Sequence, residues 1–359
     1  DDNDGSEGSP FATIVKGIDV ASNGDTVLVA AGTYVENIIW PATNGIKLIG
    51  SGEENCIIDG NQQSVVIRFD QELDGLIDTT TLIKGFTISN GTDAGGGGIH
   101  CYNSSPNLKN LTITNNSAND GGGIYFSNNC VANLVDISIT NNSAYSDGGG
   151  IFSSNSSPSL VNVSVTSNTA SSGGGGIFCG SNSNINIENS TISNNQTSTG
   201  AGGGVFTINS DINVNNSLLL GNQANLNSGG LHLNWTSASI SNCIIANNVS
   251  GYAGGIGSFD SNPNITNCTI TGNISDEGGG IYGDIANPII SNSILWNNLP
   301  EEIIINNSGV AVVTFSDIQG GHEGEGNIDA DPLFCDPDSG DFTVRSNSPV
   351  LGTGQDGAD

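Results

Sequence analysis

A glycine cluster followed by an aliphatic residue returns eight times along this chain, in GGGIH, GGGIY, GGGIF, GGGIF, GGGVF, SGGLH, AGGIG and GGGIY. The aliphatic residues are Ile99, Ile124, Ile151, Ile177, Val205, Leu231, Ile256 and Ile281, separated by 25, 27, 26, 28, 26, 25 and 25 residues. A period of this size means that each repeat is one supersecondary unit, which buries its apolar face only by stacking on its neighbours. About half a repeat downstream runs a second series, Asn110, Asp136, Asn162, Asn189, Asn216, Asn242, Asn267 and Asn292. A third follows it as Asn116, Asn142, Asn168, Asn195, Asn222, Asn248, Asn273 and Asn298. Around the second series, segments such as LKNLTITNN and ITNCTITGN alternate apolar and polar residues on both sides of a fixed Asn. Such alternation reads as two short strands joined at a bend. Asn suits a bend because it tolerates left-handed dihedrals. Stacked on its equivalent one coil away, its amide can also hydrogen-bond to that amide, at about 0.5–1.5 kcal/mol net per bond.

Three strands and three turns per 26 residues predict an all-β chain folded as a parallel β-helix, a single-stranded solenoid of about 11–13 coils with a short N-terminal capping helix. The expected divisions are an N-terminal cap over 1–23, irregular coils over 24–98, regular repeats over 99–305, and C-terminal coils with a cap over 306–359. In SPFATIVKGIDV, Ser9 is placed to cap the helix and Pro10 to begin it, with Phe11, Ile14, Val15 and Ile18 spaced along one face. After Asn23-Gly24, DTVLVAAGTYVENIIW reads as the first strands. DADPLFCDPDSGDFTVRSNSPVLGTG leaves the repeat and reads as a closing hairpin or loop over the last coil.

Composition narrows the partners. With 6 Lys+Arg against 36 Asp+Glu the net charge is −30, and no cation occurs between Asn110 and Val344. A field of that sign repels nucleic acid, anionic lipid headgroups and polyanionic glycans. No run of eighteen apolar residues occurs, so no membrane insertion is expected. High Asn and Ser with strong net charge would fit disorder, but disorder gives no reason for apolar residues to hold phase over eight copies. The chain contains no Met, and is expected to be a processed piece of a longer protein.

On these residues the chain resembles the secreted right-handed β-helix proteins of the pectate-lyase-like superfamily, over nearly its whole length. DGSEGSPFATI with GDTVLVAAGTYVENI, and DADPLF with SNSPVLGTG, are similar to the two ends of β-helix domains in large secreted or cell-surface bacterial proteins. The paired GGGI and I-x-x-N motifs resemble the GGA[ILV] and FxxN repeats of polymorphic outer-membrane adhesins, with Gly in place of Ala and Ile usually in place of Phe. GTYVEN, Gly32 to Asn37, resembles the opening motif of pectin methylesterases, but no DFIFG-like or GRPW-like segment follows. The resemblance implies the fold, an extracellular or cell-surface location, and a role as adhesin, stalk or surface-structural element. A carbohydrate-active enzyme, glycoside hydrolase or polysaccharide lyase, is the alternative it leaves open.

The residues weigh on that choice. A uronate lyase needs a base for the proton α to a carboxylate and a cation to neutralise that carboxylate. From Asn110 to Val344 the chain holds neither Lys nor Arg, leaving His100 or His232 as bases and calcium on Asp as the neutralising charge. The polygalacturonase-type set is absent. One further column has binding character: His100, Tyr125, Phe152, Phe178, Phe206, His232 and Tyr282 each follow the aliphatic position, with Gly257 between the last two. If the aliphatic points inward these rings point outward, where they could meet an extracellular glycan, a protein surface or a second copy of the chain. Asp1, Asn3 and Asp4 at one end, and Asp329, Asp331, Asp336 and Asp338 at the other, form acidic groups with calcium-ligand chemistry. Cys243 and Cys268 occupy one position in successive coils. In-register parallel strands set their side chains beside each other, which favours two thiols over a disulfide.

Overall fold

In the computed structural model, which describes residues 3–70 and 77–357, the chain is an all-β parallel β-solenoid of about 11 turns, consistent with a right-handed β-helix. It divides into two compact units, Asp1–Asn186 and Ile187–Asp359. In the first, a front sheet stacks Ile67–Asp70, Ile99–Tyr102, Ile124–Ser127, Ile151–Ser154 and Ile177–Gly180, parallel and in register. A rear sheet stacks Leu82–Ser89, Asn107–Thr114, Asn133–Thr140 and Ser159–Thr166. The second unit repeats the plan. Its front sheet is Val205–Ile208, Leu231–Asn234, Ile256–Phe259, Ile281–Asp284 and Ile303–Asn306. Its rear strands are split in two, as in Ala238–Ser241 with Ile244–Ala246 and Ile289–Ser291 with Ile294–Trp296.

The repeat's aliphatic residue points inward throughout: all eight, from Ile99 to Ile281, are 0% exposed. Each contributes roughly 1.5–3 kcal/mol by leaving water. The glycines before it let coils close on each other. Gly121 takes a left-handed φ of 66°. At Gly123 a Cβ would stand 2.6 Å from the Gly150 carbonyl oxygen of the next coil, so only hydrogen fits.

The two Asn series do different work. Asn110, Asp136 and Asn162 in the first unit, and Asn189, Asn216, Asn242, Asn267 and Asn292 in the second, all sit at positive φ between 47° and 57°, at the bend. They are partly exposed, and neighbours bond side chain to side chain: Asn162 Nδ2 donates to Asp136 Oδ1 at 2.7 Å and Asn267 Nδ2 to Asn242 Oδ1 at 3.2 Å. The third series lies inside, and its left-handed residue is the one before it, as in Asn141 and Asn247. Asn248 N–H and Nδ2 both donate to Asn273 Oδ1, at 3.0 and 2.9 Å, and Nδ2 also donates to Leu219 O at 2.9 Å. The pattern runs Asn116–Asn142–Asn168 in the first unit and Asn195–Asn222–Asn248–Asn273–Asn298 in the second. It satisfies polar atoms that would otherwise cost about 1–3 kcal/mol each to bury.

Both ends correct the sequence reading. The capping helix is Ile14–Val20, and its N-cap is Thr13, not Ser9; Pro10 and Phe11 precede it. Its buried face is Ile14, Gly17 and Ile18. Its first two N–H groups, Ile14 and Val15, donate to the Glu36 carboxylate at 2.9 Å each. The Glu of GTYVEN is thus a helix cap, placed where an anion meets the positive end of the helix. At the C-terminus a hairpin does form, Phe334–Asp336 with Asp341–Val344. It lies along the flank of the second unit: Phe334 and Phe342 pack on Ala246 and on Leu220, Ile244, Ile294 and Trp296. The hairpin covers outward apolar side chains of several coils, while the segment leading into it bonds to the last coil, Asp329 accepting from Gly320 N and Ala330 N donating to Asp317 Oδ1.

Candidate functional site

The ring column is built by register. In the first unit Arg68, His100, Tyr125, Phe152 and Phe178 are strand partners in sequence. Each stands between two inward residues and so projects outward, half-buried. Ring centroids are 5.0 Å apart for His100 and Tyr125, 4.9 Å for Tyr125 and Phe152, and 5.0 Å for Phe152 and Phe178. The last two pairs are parallel to within 1° and 3°. Faces turned on faces leave ring edges for solvent, and the edge is the positive rim of the ring quadrupole. What the column offers a ligand is therefore edges and the Tyr125 hydroxyl, rather than open faces.

In the second unit Phe206 and His232 stack at 4.7 Å. His232 does not share the partial exposure expected for it: only 4% of it is accessible, and its Nδ1 meets Ser228 Oγ at 3.0 Å. Burial drives its pKa down to about 3, so it is neutral. At Gly257 the column has no ring of its own. Phe259, two residues on, leans across the gap and reaches His232 at 4.7 Å and Tyr282 at 5.8 Å. A glycine in the column with an aromatic residue two places later is the signal that could have found it.

Arg68 lies between Ile39 and His100 in the column of the first unit and is ion-paired with Asp93. His100 Nδ1 lies 2.7 Å from Gly95 O. A carbonyl only accepts, so Nδ1 carries the proton and Nε2 the lone pair. Burial is the main cause that lowers the pKa of His100, with a further contribution from Arg68. Arg68 and His100 set a cation beside a neutral imidazole, the two groups a uronate lyase requires, and Arg68 lies outside the cation-free stretch from Asn110 to Val344.

The acidic ends do not assemble. Asp1 lies outside the described residues. Asn3 Nδ2 donates to Pro10 O at 2.7 Å, and Asp4 Oδ1 accepts from Ser6 N at 2.9 Å, so both are engaged in a local turn. Asp329 accepts from Gly320 N at 3.2 Å and Asp331 from Leu333 N at 2.9 Å, while Asp336 and Asp338 are exposed at the hairpin turn. Among the described residues no three His, Cys, Asp or Glu side chains gather as metal ligands. Cys243 and Cys268 are buried thiols. The Cys268 thiol is pushed well up, first by its hydrogen bond with Cys243 and then by burial.

Two carboxyls unremarked in the sequence are buried in the last coil. Glu302, 7% exposed, accepts from Asn298 N at 3.1 Å and from Asn298 Nδ2, and so stands where the next ladder Asn would be. Burial, and then the charge of Asp317, raise it to about 7. Asp317, 3% exposed, is raised to about 6 by burial and by Asp329 and Asp331.

Fold and site together define a β-solenoid whose repeated side chains mostly serve coil-to-coil contact. Comparison with known proteins agrees with that class: the family model "Right handed beta helix region" matches residues 76–248, and "Protein of unknown function (DUF1565)" matches residues 1–40. No curated protein matches the chain. Among solved structures, the A-module of mannuronan C-5 epimerase AlgE4 from Azotobacter vinelandii is 14% identical, with 89% of this chain and 93% of that one covered and a TM-score of 0.45. Pectate lyase Pel9A is 11% identical, with 98% and 88% covered and a TM-score of 0.43. Pectin methylesterase from Yersinia enterocolitica is 10% identical, with 84% and 94% covered and a TM-score of 0.34. At these identities the likeness is confined to the course of the chain.

Proposed function

We propose that this chain is a non-catalytic extracellular β-solenoid domain of a larger secreted or cell-surface protein, acting as a stalk, surface-structural element or adhesin. One observation carries the reading: the residues that recur most faithfully are occupied by their own equivalents one coil away. The inner Asn amides bond to each other, the rings stack face on face, and the glycines admit the neighbouring backbone. Repetition of that kind builds length and register rather than a single reactive centre. Adhesion would run along the outward ring edges of His100, Tyr125, Phe152 and Phe178 in the first unit, and separately along those of Phe206 and Tyr282 in the second, against a glycan or protein surface. Replacing Phe152, Phe178 and Phe206 together by Ser tests this. Because the rings are half-buried, the variant is expected to fold with a lowered melting temperature and to lose adhesion to glycans or cells. A folded variant that adheres like the parent refutes the adhesive role.

A second reading, a uronate-active enzyme, is favoured by Arg68 beside His100. Arg68 would neutralise a substrate carboxylate and His100 Nε2 would take the α proton. Purified protein is expected to release no unsaturated uronate from pectate or alginate. Turnover that disappears in His100→Ala establishes the enzyme and overturns the stalk.

A further inference from the structure

The last coil of the second unit does not close as the others do. Val205, Leu231, Ile256 and Ile281 are fully buried in the front sheet. Ile303, the partner of Ile281, and Ile305, the partner of Gly283, occupy inward positions but remain half-buried. The rest of that coil is covered: Asn327 Nδ2 donates to Val313 O at 2.9 Å, Phe315 N to Glu325 O at 2.7 Å and Ile318 N to Ile328 O at 3.0 Å. Ile303–Asn306 is not. Among the described residues it pairs with Ile281–Asp284 and ends its sheet.

Its backbone is poised to continue the ladder. Ile281 N–H donates to Glu302 O and Ile285 N–H to Asn306 O, so those carbonyls face the preceding coil. Successive residues of a strand point their backbone groups to opposite sides. The N–H and C=O of Ile303 and Ile305 therefore face away from the solenoid, along the direction in which every earlier front strand of the unit meets its successor. An edge of this kind is a template for a further strand.

Charge selects the occupant. Besides the buried pair Glu302 and Asp317, residues 301–331 carry five exposed carboxylates, Glu301, Glu323, Glu325, Asp329 and Asp331, and no Lys or Arg. A second copy docking edge to edge would bring the same five towards them, and like charges brought together suppress a contact. We propose that Ile303–Asn306 is a docking strand for an extended segment of a partner protein, apolar at alternate positions to cover Ile303 and Ile305, and basic at its ends.

The probe is a blocked heptapeptide, Lys-Thr-Ile-Thr-Ile-Thr-Lys, and its twin with Glu at both ends, titrated into the full chain by fluorescence anisotropy. The lysine peptide is expected to bind at least about tenfold more tightly than the twin, to weaken at about 0.5 M salt, and to lose binding in Ile305→Lys. Should that variant unfold, amide exchange on the parent decides: the peptide should protect the Ile303 and Ile305 N–H groups and leave Ile304, already turned to the preceding coil, unchanged. Absence of binding, equal binding of the two peptides, binding without protection at Ile303 and Ile305, or self-association through this edge would each overturn the proposal.

Discussion

Replacing Glu302 by Gln tests how the buried amide row of the second unit ends. Each ladder Asn oxygen accepts two hydrogen bonds from the Asn before it, and the Glu302 carboxyl takes that place for Asn298. Glu302 meets the two Asn298 donors with its two oxygens; Gln keeps one oxygen, which must take both as a ladder Asn oxygen does, and removes the charge. The folded pKa of about 7 stands above the ordinary 4.5. Between those values the folded state holds a proton that the unfolded chain has released, so this group's contribution to stability is intact below pH 4.5 and lost as pH rises through 7. The difference, 7 minus 4.5 at about 1.4 kcal/mol per pH unit, is about 3 kcal/mol. Glu302→Gln is thus expected to exceed the parent by about 3 kcal/mol at pH 8 and by about 1 kcal/mol or less at pH 5. Urea denaturation followed by the fluorescence of Trp235 and Trp296, both in the second unit, measures the difference at each pH. Opposing titrations such as that of His232 cancel because both proteins share them. A variant less stable than the parent at pH 8, or one whose gain is the same at both pH values, refutes the assignment of Glu302 as a charged ladder terminus.

His232 acts in the opposite sense. Its folded pKa near 3 lies below the ordinary 6.5, so its contribution is full above pH 6.5 and falls away towards pH 3, costing about 2 kcal/mol by pH 5. His232→Phe should remove that acid sensitivity while costing about 1 kcal/mol at every pH through the lost Ser228 bond; an unchanged pH profile in thermal melts would count against it. Asn248→Ala should destabilise by about 3 kcal/mol, because Asn222 loses the acceptor of two buried donors. Asn267→Ala, in the exposed series, should cost less than about 1 kcal/mol in the same denaturation assay. Excising Ile151 to Gly176 should leave a soluble chain with β-type circular dichroism, since Ile124 and Ile177 both pair with Ile151 in one register; loss of the β signal would break the phase assignment.

The coil plan was legible because it rests on neighbours one period apart. The inward aliphatic residues and the left-handed bend at Asn110 through Asn292 emerge from spacing alone. What the sequence concealed depends on contacts at irregular separation. The helix begins at Ile14 because Glu36, 22 residues on, receives its first N–H groups, and no local signal outranks Ser9-Pro10. The closing hairpin sits on the flank because Leu220, Ile244, Ile294 and Trp296 leave apolar surface outward there. The LLL and ILW runs, which break the alternation, were its trace. The two Asn series looked alike because both recur at the same separations; only burial tells the bend from the ladder. His232 is buried by Ser228 and the neighbouring rings, which the column's average character did not reveal.

The glycine seam also limits how such a chain can change. At Gly98, Gly123 and Gly150 in the first unit, and Gly204, Gly230 and Gly255 in the second, a single methyl group would stand 2.5–2.7 Å from a carbonyl oxygen of the next coil. Point substitution there forces two coils apart, whereas the outward positions accept rings, hydroxyls and amides alike. Drift is confined to positions off the seam, and the seam itself is left with one tolerated kind of rearrangement: gain or loss of an entire turn, which returns every glycine to a glycine. Length in such a molecule is inherited in steps of one coil, and variants with fractional turns would be cleared before they could be selected for anything else.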